Sequence, residues 1–308
     1  MPGEQVKGID LDIRKGEIFG IGGLAGQGKL GIPNGIMGLY KASGEVRING
    51  ELLNLDKLGD ALEHKVAFVS EDRRGVGLLL DESIEQNIIF SAMYTNGKFL
   101  KKIGWMHLYD SAAAKAHAEN MVKTLDIRCT GIRQAAGRLS GGNHQKVCLA
   151  RALALEPDII ICDEAVSALD VSVQAQVLNL LQELKEKLGL TYFFISHNLN
   201  VVYQVSDRVG VMYLGNMVEI ADYDKLYEKR YHPYTEALLS AIPQVDQGVK
   251  TERIHLEGEV PSPSDPPSGC RFHTRCPKAC DRCRQEVPRL KEVAEGHFVC
   301  LLYTSPSP

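Results

Sequence analysis

Short apolar runs and one long amphipathic stretch alternate in the second half of the chain. Residues 159–162 and 191–195 are continuous apolar runs, which predicts two buried strands. Between them, residues 172–188 place apolar side chains at helical spacing and end at Gly189, which predicts a helix with a glycine C-cap. Strand, helix and strand in this order indicate a parallel sheet and an α/β fold.

The remaining pattern is less regular. Apolar and charged residues alternate over residues 6–14, which predicts a half-buried strand followed by a turn at 15–17. Region 83–155 lacks strong strand signals, and its alanine-rich part predicts a helix over 111–125 capped by Asp110 or Ser111. The other predicted elements are strands at 18–21 and 66–69, a helix at 32–40, and a hairpin of 209–213 with 217–220 around Gly215 and Asn216.

Composition excludes several classes of protein. Charged residues make up 24% and hydrophobic residues 44% of 308 residues, which is ordinary for a soluble globular chain. The net charge of −4 argues against a nucleic-acid partner. No apolar run reaches the roughly 18 residues needed to span a bilayer. The polar first residues predict no signal peptide.

A glycine-rich loop between a predicted strand and a predicted helix carries the first chemical signal. Residues 23–29 fit G-x-x-x-x-G-K, with Gly23, Gly26 and Gly28 allowing backbone amides to turn toward a polyphosphate and Lys29 reaching its outer phosphates. Leu30 stands where the motif ends in a Ser or Thr that holds Mg²⁺. A purely structural glycine turn is the alternative.

Polar residues also follow the two buried strands. Asp163 is placed to hold Mg²⁺ and Glu164 to polarise an attacking water, although an acidic pair at a strand end also occurs by chance. His197 ends the next strand, where it could contact a γ-phosphate or be structural.

Two further segments lie at predicted helix starts. Ser140, Gly141 and Gly142 offer a hydroxyl and bare amides for phosphate, or an ordinary N-cap. Residues 167–170 follow the acidic pair and end at Asp170, before the next helix. The order of all five features along one chain is far more specific than any one of them.

With these motifs, the sequence from residue 6 to about 299 resembles the ATP-binding subunits of ABC transporters. Gly23 to Lys29 resembles the Walker A motif, 159–163 Walker B with Glu164 as catalytic glutamate, LSGGN at 139–143 the signature, SALD at 167–170 the D-loop, and His197 the switch histidine. The resemblance implies a P-loop NTPase core, a parallel sheet with flanking helices, and an inserted helical subdomain at about 83–155. It also implies ATP and Mg²⁺ as cofactors. Two such domains would pair head to tail, each ATP lying between one Walker A and the partner's signature.

The resemblance has two departures. Glu71 stands where the family usually has a Gln, and we expect it to join Asp163 as a magnesium ligand. Leu30 has no evident substitute for the missing hydroxyl. We therefore predict that the chain's own site binds ATP but hydrolyses it poorly, while its signature (Ser140, Gly141, Gly142) completes a partner's site. Asp170 is also expected to bind ATP.

The two parts of the chain resemble different importers. GGLAGQGKLGI at 22–32, SEDRRGVGL at 70–78 and residues up to 146 resemble the second ATPase half of simple-sugar and nucleoside importers. From residue 150 onward, including HPYTEALLSAIP at 232–243 and GCRFHTRCP at 269–277, the chain resembles oligopeptide and dipeptide importer ATPases. We expect a hybrid of the two; the alternative is one divergent lineage.

The predicted domains are an ATPase domain at 1–240, a small cysteine-containing extension of the peptide-importer type at 241–299, and a foreign tail at 300–308 that resembles a translated sequencing-library end. A run at 261–267 rich in proline predicts a linker. By resemblance, a first strand with an adenine-stacking aromatic residue would precede Met1.

Five of the eight cysteines lie in the last stretch of the chain. Cys270, Cys276, Cys283 and Cys300 could hold a [4Fe–4S] cluster or zinc, and the resemblance favours iron–sulfur. Reduced thiols without metal are the alternative, and Cys280 fits no ligand position.

The sequence thus predicts an ATP-hydrolysing subunit of a peptide importer, peripheral on the cytoplasmic face of the membrane. Its partners would be a second ABC ATPase subunit, transmembrane permease subunits and, through the complex, a solute-binding protein. A sugar or nucleoside importer ATPase, a soluble ATPase of the same fold and an inactive fusion product are the alternatives.

Overall fold

The computed structural model describes residues 6, 8–72, 75, 77–103, 105–167, 169–241 and 253–302. Within these residues the strands are β1 (Ile18–Gly22), β2 (Arg47–Ile48), β3 (Glu51–Leu52), β4 (Val66–Val69), β5 (Leu100–Ile103), β6 (Met106–Tyr109), β7 (Ile159–Asp163), β8 (Thr191–Ile195), β9 (Arg208–Tyr213), β10 (Asn216–Asp222), β11 (Leu290–Ala294) and β12 (His297–Cys300). The helices are α1 (Gly31–Ile36), α2 (Asp60–Glu63), α3 (Ile84–Asn96), α4 (Ser111–Thr124), α5 (Gly141–Leu153), α6 (Val171–Leu188), α7 (Leu199–Val205), α8 (Tyr223–Glu228), α9 (Pro233–Ser240) and α10 (Asp281–Gln285). The chain forms two compact units: unit 1 combines residues up to 32 with those from 194, and unit 2 holds residues 33–193.

Unit 1 is built on a mixed sheet. Its strands pair in the order β11-β12-β10-β9-β1, with β1 parallel to β9 and the other neighbours antiparallel. Every residue of β1 and β9 is buried, so this parallel pair forms the centre of the unit's core. The hairpin of β9 and β10 is confirmed, and both residues of its turn, Leu214 and Gly215, have positive φ, which matches the twist of the strands.

Unit 2 contains the parallel pair of β4 and β7, in which Val66 to Val69 lie opposite Ile159 to Cys162. The predicted strand at 66–69 and the predicted helix at 111–125 are therefore confirmed, the helix beginning after Asp110, whose carboxylate accepts a hydrogen bond from Ala113 N. Helix α6 ends as predicted at Gly189, which has a φ of 67°. These elements follow from local signals, namely apolar runs and capping residues.

Two predicted elements, and one region without strong strand signals, differ from the structure. Residues 8–14 alternate between half-buried and exposed as expected, but they form no strand, because alternation specifies a face and not a pairing partner. The hairpin of β5 and β6 lies in the region that lacks strong strand signals, because its residues are mostly exposed and carry no apolar run. Helix α1 ends at Ile36, and Gly38 follows with a φ of 68°.

The C-terminal extension joins the sheet of unit 1. Residues 261–267 contain no helix or strand, as the proline-rich composition predicts. Strand β12 pairs with β10, and Phe272 is fully buried. The predicted boundary between the ATPase domain and the extension, at 240/241, adjoins residues 242–252, which lie outside the described residues. Residues 303–308, most of the predicted tail, also lie outside them, so the domain boundaries stay predictions. None of the helices in the described segments is long and apolar enough to cross a bilayer.

Candidate functional site

The glycine-rich loop follows β1 in unit 1. Gly23 has a φ of 144°, and a Cβ atom there would lie 2.4 Å from the carbonyl oxygen of Met212. Only glycine fits this backbone conformation and this close approach. The first glycine of the motif is thus required by packing against β9, in addition to any role toward a ligand.

Lys29 is buried, with 4% of its surface exposed. Its ammonium group donates to the carbonyl oxygen of Gly23 at 2.7 Å and to that of Ser196 at 3.1 Å. The lysine therefore connects both ends of the loop with the end of β8. His197 follows Ser196 and is exposed, so the structure brings two of the predicted site residues into one neighbourhood.

Gln27 is a residue of this loop that the sequence pattern did not mark. It is 3% exposed, its side-chain oxygen accepts from Leu214 N at 2.8 Å, and its carbonyl oxygen accepts from Gly215 N at 2.8 Å. The middle of the loop is thereby fixed to the turn between β9 and β10. Gln27 occupies an x position of the motif, and nothing in the local pattern distinguishes it from its exposed neighbour Gly26.

In unit 2, both predicted carboxylates lie at the end of β7. Asp163 is 6% and Glu164 5% exposed. Glu164 has a φ of 48°, a left-handed conformation that costs a non-glycine residue about 1–3 kcal/mol. Its carbonyl oxygen accepts from Ser167 N at 2.9 Å, which fixes the turn after the strand.

Glu71 is exposed and lies beside the segment that resembles the D-loop. Its carboxylate accepts from the hydroxyl of Ser167 at 3.3 Å. Asp170 caps α6, accepting from Val173 N at 2.9 Å. Both predicted site residues therefore have a role inside unit 2, while Ala168 lies outside the described residues.

The signature segment begins α5. Ser140 and Gly141 are exposed, and the hydroxyl of Ser140 accepts from the side-chain Nδ2 of Asn143 at 3.0 Å instead of capping the helix. A Cβ atom at Gly142 would lie 2.4 Å from Cγ1 of Val173 in α6. Gly142 therefore permits close packing of two helices, a role that the sequence did not reveal.

The structure gives no support to the predicted metal site. The residues that it describes include no group of three or more His, Cys, Asp or Glu side chains able to hold a metal ion. Cys283 instead lies 3.5 Å from Cys280, which fitted no ligand position, and Cys300 donates to the carbonyl oxygen of Met217 at 3.2 Å. Burial raises the pKa of Cys270 to about 11 and of Cys300 to about 12, so both are neutral thiols at pH 7.

Known proteins match most of this chain. The profile of the ABC transporter family matches residues 6–167, and the profile of the oligopeptide/dipeptide transporter C-terminal region matches residues 218–283. The oligopeptide transport ATP-binding protein AppF of Bacillus subtilis is 40% identical, covering 97% of this chain and 89% of its own length. The oligopeptide transport ATP-binding protein OppF of Salmonella typhimurium is also 40% identical, covering 95% and 85%.

Solved structures agree. An ABC transporter cassette in its ADP conformation gives a TM-score of 0.61 at 22% identity, over 73% of this chain and 89% of its own. A dimeric cassette bound to ADP and phosphate gives 0.59 at 26% identity, over 71% and 90%. These likenesses confirm the P-loop NTPase α/β fold.

The same relatives bear on the expected hybrid. A match that covers 97% of the chain necessarily crosses residues 146–150, where the two importer types were expected to join. The comparisons therefore do not support a sugar-importer front half. The chain belongs to the ABC transporter family of ATP-binding proteins, which hydrolyse ATP and couple that hydrolysis to transport.

Proposed function

We propose that this subunit energises the import of oligopeptides or dipeptides. The observation that carries the proposal is that the transporter profile and the oligopeptide/dipeptide C-terminal profile match one chain, at residues 6–167 and 218–283. Relatives named for oligopeptide transport are 40% identical along nearly the whole chain.

The site residues follow the family's motifs. In unit 1, Lys29 and the loop glycines Gly23, Gly26 and Gly28 bind the phosphates, and His197 contacts the γ-phosphate. The buried, carbonyl-held ammonium group of Lys29 suits this role, since a cation with little water around it attracts phosphate strongly.

In unit 2, Asp163 and Glu71 would hold Mg²⁺, and a bound Mg²⁺ would supply positive charge to offset that of the phosphates. Glu164 acts as the base that orients and deprotonates the attacking water. Asp163 ends β7 and Glu164 follows it, and both are buried at the positions that the family's motif assigns to these roles.

The partners follow from the exposed signature. Ser140 and Gly141 are exposed, as they must be to contact ATP that is bound to another subunit. Gly142 and Asp170 would complete this group of ATP-binding residues. The subunit would pair with a second ABC ATPase and act on transmembrane permease subunits that receive peptide from a solute-binding protein. It would lie on the cytoplasmic face of the membrane, and nucleic acid is not a partner.

The chain's own site is proposed to be weak in hydrolysis. Leu30 is half-buried at the position where the motif's hydroxyl would hold Mg²⁺. A leucine side chain has no atom that can ligate a hard cation.

Uptake of a labelled oligopeptide by a Salmonella typhimurium strain lacking OppF tests the proposal. Expression of the chain should restore uptake, whereas Ser140→Arg, which introduces bulk and charge into the exposed signature, should abolish it. Ser111→Arg, at an exposed serine of α4, is the matched control and should leave uptake intact. Failure of the chain to restore peptide uptake, or failure of the purified chain to bind ATP, would overturn the proposal.

A further inference from the structure

The nucleotide-binding loop is hydrogen-bonded to a tyrosine that belongs to none of the nucleotide-binding motifs. The amide of Leu24, second residue of the loop, donates to the hydroxyl of Tyr234 at 3.2 Å. Tyr234 lies in the first turn of α9 and is completely buried. Burial also raises the pKa of Tyr234 above its usual range, so the hydroxyl is neutral at physiological pH.

Tyr234 is itself fixed by an aromatic cluster. Its ring centroid lies 4.7 Å from that of Tyr213 and 5.5 Å from that of Phe272, and the rings of Tyr213 and Phe272 meet edge to face at 5.2 Å. All three rings are at most 1% exposed. Close aromatic contacts of this kind are favourable beyond simple burial. Phe272 belongs to the cysteine-containing extension, so the extension supports the ring that holds the loop.

A second connection runs parallel to the first. The guanidinium group of Arg271 donates to the carbonyl oxygen of Leu214, in the turn between β9 and β10. The amide of the same Leu214 donates to the side chain of Gln27 in the loop at 2.8 Å. Adjacent residues of the extension thus reach the start of the loop through Tyr234 and its middle through Leu214.

We propose that Tyr234 is a positioning residue for ATP binding, and that the C-terminal extension acts through it to hold the nucleotide-binding loop in shape. The inference rests on the proposed role of this loop in binding ATP. A loop that is already ordered loses less conformational entropy when the nucleotide binds. The contacts of Tyr234 with the loop can therefore raise the affinity for ATP without contacting the ATP. The extension then contributes to the ATPase itself, whatever else it binds.

Tyr234→Phe is the direct test, since it removes the hydroxyl and keeps the ring. A single hydrogen bond of this kind makes a modest net contribution, so we expect the Kd for ATP to rise about two- to tenfold. The exchange of the Leu24 amide with solvent, followed by NMR on protein labelled with ¹⁵N-leucine and without nucleotide, should become faster. Tyr203→Phe is the matched control, because Tyr203 is buried in the same unit and its hydroxyl has no hydrogen-bond partner among the described residues.

The outcomes separate the possibilities. If Tyr234→Phe lowers the melting temperature but leaves both the Kd for ATP and the Leu24 exchange rate equal to those of Tyr203→Phe, the tyrosine is only structural and the inference is wrong. If the unaltered protein binds no ATP, the proposed function fails, while the Leu24 exchange rate still reports whether the hydroxyl holds the loop. Phe272→Leu, which removes the supporting ring and keeps Tyr234, should shift both readouts in the same direction, and an unchanged Leu24 exchange rate in this variant would refute the role of the extension.

Discussion

His232 should make the stability of unit 1 depend on pH. The imidazole is 2% exposed, and its Nδ1 accepts from Tyr234 N at 3.2 Å as the cap of α9. Burial lowers the pKa of His232 to about 4, against the pull of the nearby carboxylate of Glu219. A proton on Nδ1 would also remove the acceptor that caps the helix. The folded protein therefore keeps this histidine neutral.

The size and sign of the effect follow from proton linkage. In the unfolded chain a histidine has a pKa of about 6.5. Between this value and the folded value of about 4, the unfolded state binds more protons, so the free energy of unfolding falls as the pH falls. For this one group, going from pH 7 to pH 5 lowers the free energy of unfolding by about 2 kcal/mol. The stabilisation is fully present above pH 6.5 and is lost as the pH falls toward 4.

His232→Asn isolates this contribution, because asparagine is a good N-cap that does not titrate. Urea unfolding at pH 7 and at pH 5 gives the change in the free energy of unfolding for each protein. The original protein should lose about 2 kcal/mol more than the variant over this range. Equal losses in the two proteins would show that His232 is protonated in the folded state or is accessible to water, and the reasoning from burial would be wrong.

Three other substitutions test the site and its support. Leu30→Ser should strengthen Mg²⁺-dependent ATP binding and raise the hydrolysis rate, measured with and without Mg²⁺ on the purified chain; no change would contradict the assigned cause of weak hydrolysis. Gly142→Ala should lower the free energy of unfolding in urea by about 1–3 kcal/mol, because the added methyl group overpacks the contact with Val173. Adding Val173→Ala to this variant should recover part of that free energy, and no recovery would argue against the helix contact. Arg208→Met should lower the free energy of unfolding by about 3–5 kcal/mol, because buried Glu17, which lies 3.0 Å from the guanidinium group, loses its cationic partner. Adding Glu17→Leu to this variant should restore most of that free energy in the same assay, whereas a further, additive loss would contradict the pairing.

The sequence predicted best where the signal is local. Strand β8 begins and ends at the predicted residues, and α6 carries its cap at Asp170 and its stop at Gly189. Apolar runs, capping side chains and glycine stops act within a few residues, so a single sequence displays them. The candidate nucleotide-binding residues rest on the same kind of local signal, because the loop, the strand end and the helix start each have a short motif, and they stay predictions.

Prediction failed where structure depends on a partner far along the chain. Residues 8–14 have the alternation of a strand without forming one, and the exposed hairpin of β5 and β6 has no apolar run to mark it. The cysteines show the same limit: their spacing suggested a metal site, yet among the described residues the thiols of Cys280 and Cys283 meet and Cys300 bonds to Met217. Spacing along a chain does not by itself specify a metal-binding geometry.

The loop itself illustrates why motifs describe only part of a binding site. Its pattern names the residues proposed to bind phosphate, but the contacts that fix its shape come from residues far along the chain. Tyr234 lies 210 positions from Leu24, and Leu214 lies 187 positions from Gln27. Tyr234 lies in the part of the chain that matches the oligopeptide/dipeptide transporter C-terminal region, residues 218–283, and Leu214 lies just before this part. Tyr234 and Leu214 both precede residue 240, the predicted end of the ATPase domain, and Phe272 and Arg271 of the extension contact them within unit 1. Changes in the extension should therefore be examined for their effect on ATP affinity.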